Sequence, residues 1–279
     1  MDYYNASNGS VDGAVHVQVA HEFDENLWVA KQKDKRENIA AMVCWIDLTK
    51  ERTLEDLKNL VKQITVGSNR KLVSFRHVAE AESNADWLSN PIVIENVKKI
   101  GLLGYNFDLL IRTRNLKSAL VLVQNAPETQ FVIDHMAKPD VSGDVWNDEE
   151  KWNLGMAKLC LERNVWCKLS GFYAGKLKLK WDASILQILN FILDDATRSF
   201  KPDQNRVNHF VSKCLQLFAP SRVFWGSDWP VSLGLNQTDV NENIKIYENA
   251  IRASGRVTED YLDNIFYKNA LSFYRLSSD

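Results

Sequence analysis

Apolar residues recur along this chain with two periods that take turns. Short runs rich in β-branched and aromatic residues fall at 14–20 (AVHVQVA), 41–48 (AMVCWIDL), 72–78 (LVSFRHV), 105–111 (YNFDLLI), 130–135 (QFVIDH), 165–170 (VWCKLS) and 222–227 (RVFWGS). Each predicts a strand. VWCKLS is apolar at successive rather than alternate positions over much of its length, as expected of a strand covered on both faces. Between the runs lie segments with the helical period. Leu54, Leu57, Leu60 and Val61 form one such face, and Leu116, Ala119, Leu120 and Val123 another. Ile185, Ile188, Leu189, Ile192 and Leu193 form a third. The tail, 259–274, holds Tyr261, Leu262, Ile265 and Phe266 at helical spacing after Thr258, a suitable N-cap. Strand–helix alternation predicts a parallel sheet, because parallel neighbours need a long crossover between them. There is no internal repeat and no low-complexity linker. The polar stretch 198–208 reads as an insertion loop. We expect one domain, 1–279, with an irregular leader over 1–13.

Two of the predicted strands end in reactive side chains. In VFWGSDWPV (223–231) the apolar run breaks at Gly226, exposes Asp228 and stops at Pro230. Proline lacks the N–H a sheet ladder needs and biases the preceding residue away from helix. Asp228 is therefore expected at, or just past, a C-terminal strand end. FVIDHMAKP (131–139) brings Asp134, His135 and Lys138 to the same kind of place. In parallel α/β proteins those ends are where catalytic groups gather. Strand alternation turns Asp134 away from His135, toward the helical layer. It also puts Lys168 and Ser170 on one face, with Gly171 letting the chain turn away.

Composition narrows the classes. The chain has 279 residues, 45% hydrophobic and 25% charged, with a formal net charge of -2. This is a globular balance without the basic excess of a nucleic-acid binder. No apolar run reaches about 18 residues, so no membrane-spanning helix is expected. The polar N-terminus does not resemble a signal peptide. Cys44, Cys160, Cys167 and Cys214 show no C-x-x-C spacing, which fits reduced, mostly buried thiols in a cytoplasmic protein. The nine tryptophans are assigned mainly to the core, and His209 to the surface. Neither G-x-G-x-x-G nor a P-loop is present, which argues against an open nucleotide-binding sheet. The expected fold is an α/β, TIM (β/α)8-type barrel with seven of eight strands recognisable and the N-terminal strand absent or replaced.

The segments AVHVQVA, AMVCWIDL, FRH (75–77), YNFDLLI, FVIDHMAKP, VWCKLSG, FWGSDWPV and NALSFYRL (269–276) together resemble the amidohydrolase-related (amidohydrolase 2) family. The resemblance is to its L-fuconolactonase- and L-rhamnonolactonase-like branch. D-H-x-x-K-P followed by G-S-D-W-P is its most specific part. The resemblance implies a distorted TIM barrel whose site, at the C-terminal mouth of the strands, opens a small lactone by water attack. On that basis Asp228 is the general base and His135 its catalytic partner. Arg76, His77, Lys138, Lys168 and Asp108 are substrate-binding candidates. One of Arg76 and His77 should face the site, and an arginine there can fork onto a carboxylate. Asp108, in mid-strand, needs a partner of its own.

Members of the family usually open with a strand ending in H-x-H, and nothing of that kind precedes Ala14. His16 and His21 fall in and just after the match to the second strand. The resemblance thus leaves His135 and Asp228 as the metal candidates, and the cofactor is one divalent metal of the zinc type or none. A missing strand would leave two sheet edges to be covered, by the leader or by a homo-oligomer. The expected partner is a small-molecule substrate, with no nucleic acid and no membrane. The alternatives are a catalytically inactive amidohydrolase-like binding protein, a truncated isoform, or a metal-dependent decarboxylase on the same fold.

Overall fold

The computed structural model of the chain describes residues 3, 7–31, 39–68, 71–142, 146–172, 202–234, 240–255 and 257–277. All seven expected strands form, are parallel where their register is defined, and follow one another through the sheet in chain order. This is the α/β, TIM-barrel-type fold. The chain forms two compact units. One comprises Asp12–Ile133, Lys158–Trp166 and Leu271–Asp279; the other comprises Met1–Val11, Asp134–Ala157 and Cys167–Ala270.

The first unit repeats strand and helix: β1 (Ala14–Val17), α1 (Phe23–Lys31), β2 (Ile39–Cys44), α2 (Leu54–Thr65), β3 (Lys71–His77), α3 (Pro91–Leu102), β4 (Asn106–Leu109), α4 (Leu116–Asn125) and β5 (Phe131–Ile133). Local chemistry starts the helices. Thr53 and Asp56 form a reciprocal capping box on α2, and Asn90 caps α3 just before Pro91. Ala41 to Cys44 of β2 and all of β5 are buried at every position. That is the covered-on-both-faces pattern of a central parallel strand. Asp108 is fully buried and accepts the Ser74 hydroxyl at 2.6 Å and the Tyr274 hydroxyl at 2.7 Å. The C-terminal tail is thereby tied to β4, as it is by the Asn106 amide bonded to the Phe273 carbonyl at 2.6 Å. A cavity of about 390 Å³ lies by the residues that precede β4 and β5, lined in part by Tyr105, Gln130, Trp166 and Arg275. It is remote from the C-terminal strand ends.

The second unit holds α5 (Glu149–Leu159, through Ala157), β6 (Val165–Leu169, from Cys167), α6 (Gln204–Phe218), β7 (Val223–Trp225) and α7 (Val240–Ala253). Lys168 is in register with Phe224. Trp152, Phe210, Phe218 and Phe224 fill the core. Part of the expected 198–208 loop is instead the start of α6. Asp203 caps it by accepting the Arg206 amide at 3.0 Å, and Val207 begins its apolar face. The short polar residues at this start are a cap and an exposed first turn, not a loop. The tail begins at Thr258 as expected but is not one regular helix. A π turn at Asn264–Lys268 separates Glu259–Asp263 from Asn269–Tyr274. The helix expected over 185–193 lies outside the described residues. All four cysteines are free thiols, and three of them are buried. Among the described tryptophans only Trp87 and Trp152 are buried, so the core assignment was too broad. A large ring with one polar atom settles readily at the margin of a core.

Candidate active site

β5 stops at Ile133, and the chain then turns in an unusual way. His135, Met136, Ala137 and Lys138 have φ of 55°, 53°, 56° and 54°. Four successive non-glycine residues in the left-handed region cost roughly 1–2 kcal/mol each, so the surroundings must hold them. The Lys138 amide donates to the His135 carbonyl at 2.7 Å, and the Trp152 indole N–H to the Met136 carbonyl at 2.7 Å. All four residues are buried, Lys138 included. Strained backbone of this kind concentrates at functional sites.

The turn ends strand alternation at Ile133 and corrects the expected placement of Asp134. Asp134 does not face a separate layer from His135; Lys168 of β6 and Ser170 just past its end meet one each. Lys168 Nζ lies 2.5 Å from Asp134 Oδ1, and Ser170 Oγ lies 2.7 Å from His135 Nδ1. The Lys168–Asp134 pair is buried, with the ammonium 5.8 Å from the centre of the Phe224 ring. Gly171 seats the imidazole. Its φ is +69°, and a Cβ there would fall 2.4 Å from His135 Cγ and 2.5 Å from Nδ1.

Asp228 follows β7 by three residues, at φ 52°. Its carbonyl accepts the Ser232 amide at 3.0 Å. Its Oδ1 is 3.5 Å from His135 Nε2, with side-chain exposures of 13% and 10%. At that separation the two groups attract without locking into a tight hydrogen bond. With a carboxylate facing Nε2, the imidazole proton belongs on Nε2, and Nδ1 accepts from the Ser170 hydroxyl. The result is a carboxylate and an oriented N–H side by side, both on largely buried side chains. Such a pair can take a proton from water and donate a hydrogen bond to a carbonyl oxygen. Ser170, read from sequence as a neighbour of Lys168, has this second role. Only the left-handed turn creates it, and nothing in DHMAKP announces such a turn.

The remaining candidates lie in the first unit, where each has partners. Arg76 Nε donates to Gln18 Oε1 at 3.2 Å, and Nη2 to the Gln18 carbonyl. Asp108 holds the two hydroxyls described above. His77 is sandwiched between His21 (ring centres 3.9 Å apart) and Trp87 (4.0 Å). Its Nδ1 accepts from the Trp45 indole N–H at 3.0 Å, which puts its proton on Nε2, 2.7 Å from Glu82 Oε1. His21 Nε2 accepts the Val78 amide at 3.0 Å. Burial pulls His77 down to about 4. Burial, then the adjacent His77, does the same to His21, also to about 4. Both are neutral at pH 7.

A divalent ion held by protein alone needs at least three donors. At the strand ends His135 and Asp228 supply two, and His135 Nδ1 is engaged by Ser170. Among the described residues the one grouping of three donors is His21, His77 and Glu82. There both His77 nitrogens and His21 Nε2 are already hydrogen-bonded, and the rings are stacked face to face. Neither place, as the described residues form it, fits a tightly held metal.

The chain is a parallel α/β protein of the barrel type with a carboxylate and an imidazole side by side past its strand ends. Within that class the chain belongs to the amidohydrolase family, whose model matches residues 2–276. It is 26% identical over 228 residues to an L-fucono-1,5-lactonase of Burkholderia ambifaria, covering 81% of this chain and 67% of the relative. It is 23% identical over 201 residues to an L-rhamnono-gamma-lactonase of Scheffersomyces stipitis, covering 68% of this chain and 55% of that one. In fold it matches an amidohydrolase from Burkholderia multivorans solved with bound zinc. The TM-score is 0.77 at 20% identity, over 98% of this chain and 87% of the other. No helix among the described residues is long and apolar enough to cross a membrane.

Proposed function

We propose that the chain hydrolyses a small lactone of the sugar-acid class. The observation that carries this is the pairing of Asp228 with His135, the imidazole being fixed by Ser170 and Gly171. Both lactonase relatives act, by name, on sugar-acid lactones. In the proposed reaction a water oxygen attacks the lactone carbonyl while Asp228 takes its proton. The His135 Nε2–H donates to the carbonyl oxygen as negative charge builds there. When the tetrahedral intermediate collapses, the ring C–O bond breaks. The leaving alkoxide takes the proton back from Asp228, and the product is the open hydroxy acid. Lys138, on the same turn as His135, is the candidate contact for the product carboxylate. No step passes through a metal, because the described donors do not form a site for one.

The test is turnover of a panel of aldonolactones by purified protein, followed by acid release. Wild type is expected to open at least one, and Asp228→Asn to lose at least about 10³-fold in kcat, as removal of a proton-transfer group does. No turnover by a folded wild type would leave the inactive binding protein as the better reading. Release of carbon dioxide from an aromatic acid would instead favour the decarboxylase.

A further inference from the structure

The residues on both sides of Asp228 are tied to the N-terminal segment of the same unit. The Tyr3 ring packs against Trp229, with centres 5.6 Å apart and planes at 57°. Its hydroxyl is hydrogen-bonded to the Ser227 side chain. Ser227 Oγ in turn accepts the Trp229 amide at 3.3 Å. Farther along, Ser7 is buried and Ser10 Oγ bonds Asn241 Oδ1. The segment is thus docked by side chains at several points, one of them directly on the Ser227–Asp228–Trp229 turn.

The Trp229 indole N–H and the Ser232 hydroxyl are buried and have no hydrogen-bond partner among the described residues. A buried donor left unsatisfied costs about 1–3 kcal/mol, and folded proteins keep few of them. Two occur within four residues of the candidate base. A polyhydroxylated lactone carries acceptor oxygens around its ring, and an indole offers such a ring an apolar wall with one N–H.

We infer that the Trp229 indole N–H is a substrate-binding donor, reaching an oxygen of the lactone, and that Tyr3 is the positioning residue that holds the indole in place. This rests on the lactonase reading above. The N-terminal segment then takes part in forming the substrate site.

The experiment uses full-length protein with 15N-labelled tryptophan and an unreactive sugar lactam, the amide analogue of a lactone. The Trp229 indole resonance is assigned by its loss in Trp229→Phe. On saturation with lactam that resonance should move downfield, as a new hydrogen bond requires. Trp229→Phe should bind lactam on the order of tenfold more weakly. Tyr3→Ala should raise KM for the lactone and broaden or shift the same resonance in the free protein. Tyr3→Phe, which keeps the ring, should restore most of the difference. Should Trp229→Phe fail to fold, Trp229→Tyr takes its place in both the assignment and the affinity comparison. Saturation by lactam with no movement of the Trp229 resonance, or equal affinity in wild type and Trp229→Phe, overturns the inference and leaves the lactonase reading standing. A folded wild type that neither binds the lactam nor opens any lactone overturns both.

Discussion

A Cβ on Gly171 would lie 2.4 Å from Cγ of the His135 imidazole. The glycine two residues past β6 and the histidine two residues past β5 therefore specify each other. Gly171→Ala adds a positive-φ penalty of about 1 kcal/mol to that collision. We expect it to lower stability by roughly 2–4 kcal/mol in a denaturant titration and to abolish lactone turnover. An unchanged midpoint would mean that the ring is not seated against this glycine.

Ser170→Ala tests the hydroxyl on the other nitrogen. Removing the donor to buried Nδ1 should destabilise by about 1–3 kcal/mol. The imidazole proton could then settle on Nδ1, leaving Nε2 unable to donate to the carbonyl. The expected signature is a fall in kcat with little change in KM, together with an altered pH–rate profile. A variant with wild-type kcat would remove Ser170 from the account.

Lys168 and Asp134 should behave as a unit. Lys168→Met strips a buried carboxylate of its cation, for an expected loss of about 3–5 kcal/mol. Adding Asp134→Leu should recover much of that loss, because an apolar pair has no desolvation penalty to offset. The check is a double-mutant cycle by urea unfolding. Additive losses would show that the two do not depend on each other.

The stacked histidines give stability a pH dependence of known sign. His21 and His77 titrate near 6.5 when unfolded and at about 4 when folded. Between those values the unfolded chain binds more protons, so stability rises with pH. Their contribution is whole above pH 6.5 and is lost as pH falls to about 4. For buried His77 alone the loss is on the order of 3 kcal/mol. Unfolding free energies at pH 7, 5.5 and 4.5 should decline in the wild type. The decline should be shallower in His77→Gln, whose side chain does not ionise, with the His21 share remaining. Equal slopes would count against burial as the cause.

Much of the fold was legible from the chain because periodicity is a local property. All seven strands lie where apolar runs predicted them, and the cap expected at Thr258 marks a real helix start. Asp228 and His135 stand out in the sequence because each closely follows such a run. The true start of α6 was hidden by polar residues that serve equally well as a loop or as a first turn. The helical tail was marked by its spacing, but not its π turn, which leaves the apolar period almost unchanged.

The sequence by itself determined the seven strands, the parallel sheet they require, and that His135 and Asp228 follow two of them. Only the tertiary structure decided which side chains meet there. Four left-handed residues after Ile133 cancel strand alternation, and so Lys168 meets Asp134 while Ser170 meets His135. Tyr3 reaches Trp229 across more than two hundred residues of chain. Periods of 2 and 3.6 are set by neighbours in the chain. Pairings such as these are set by packing, which brings distant segments together and holds backbone angles that no residue in them would choose alone.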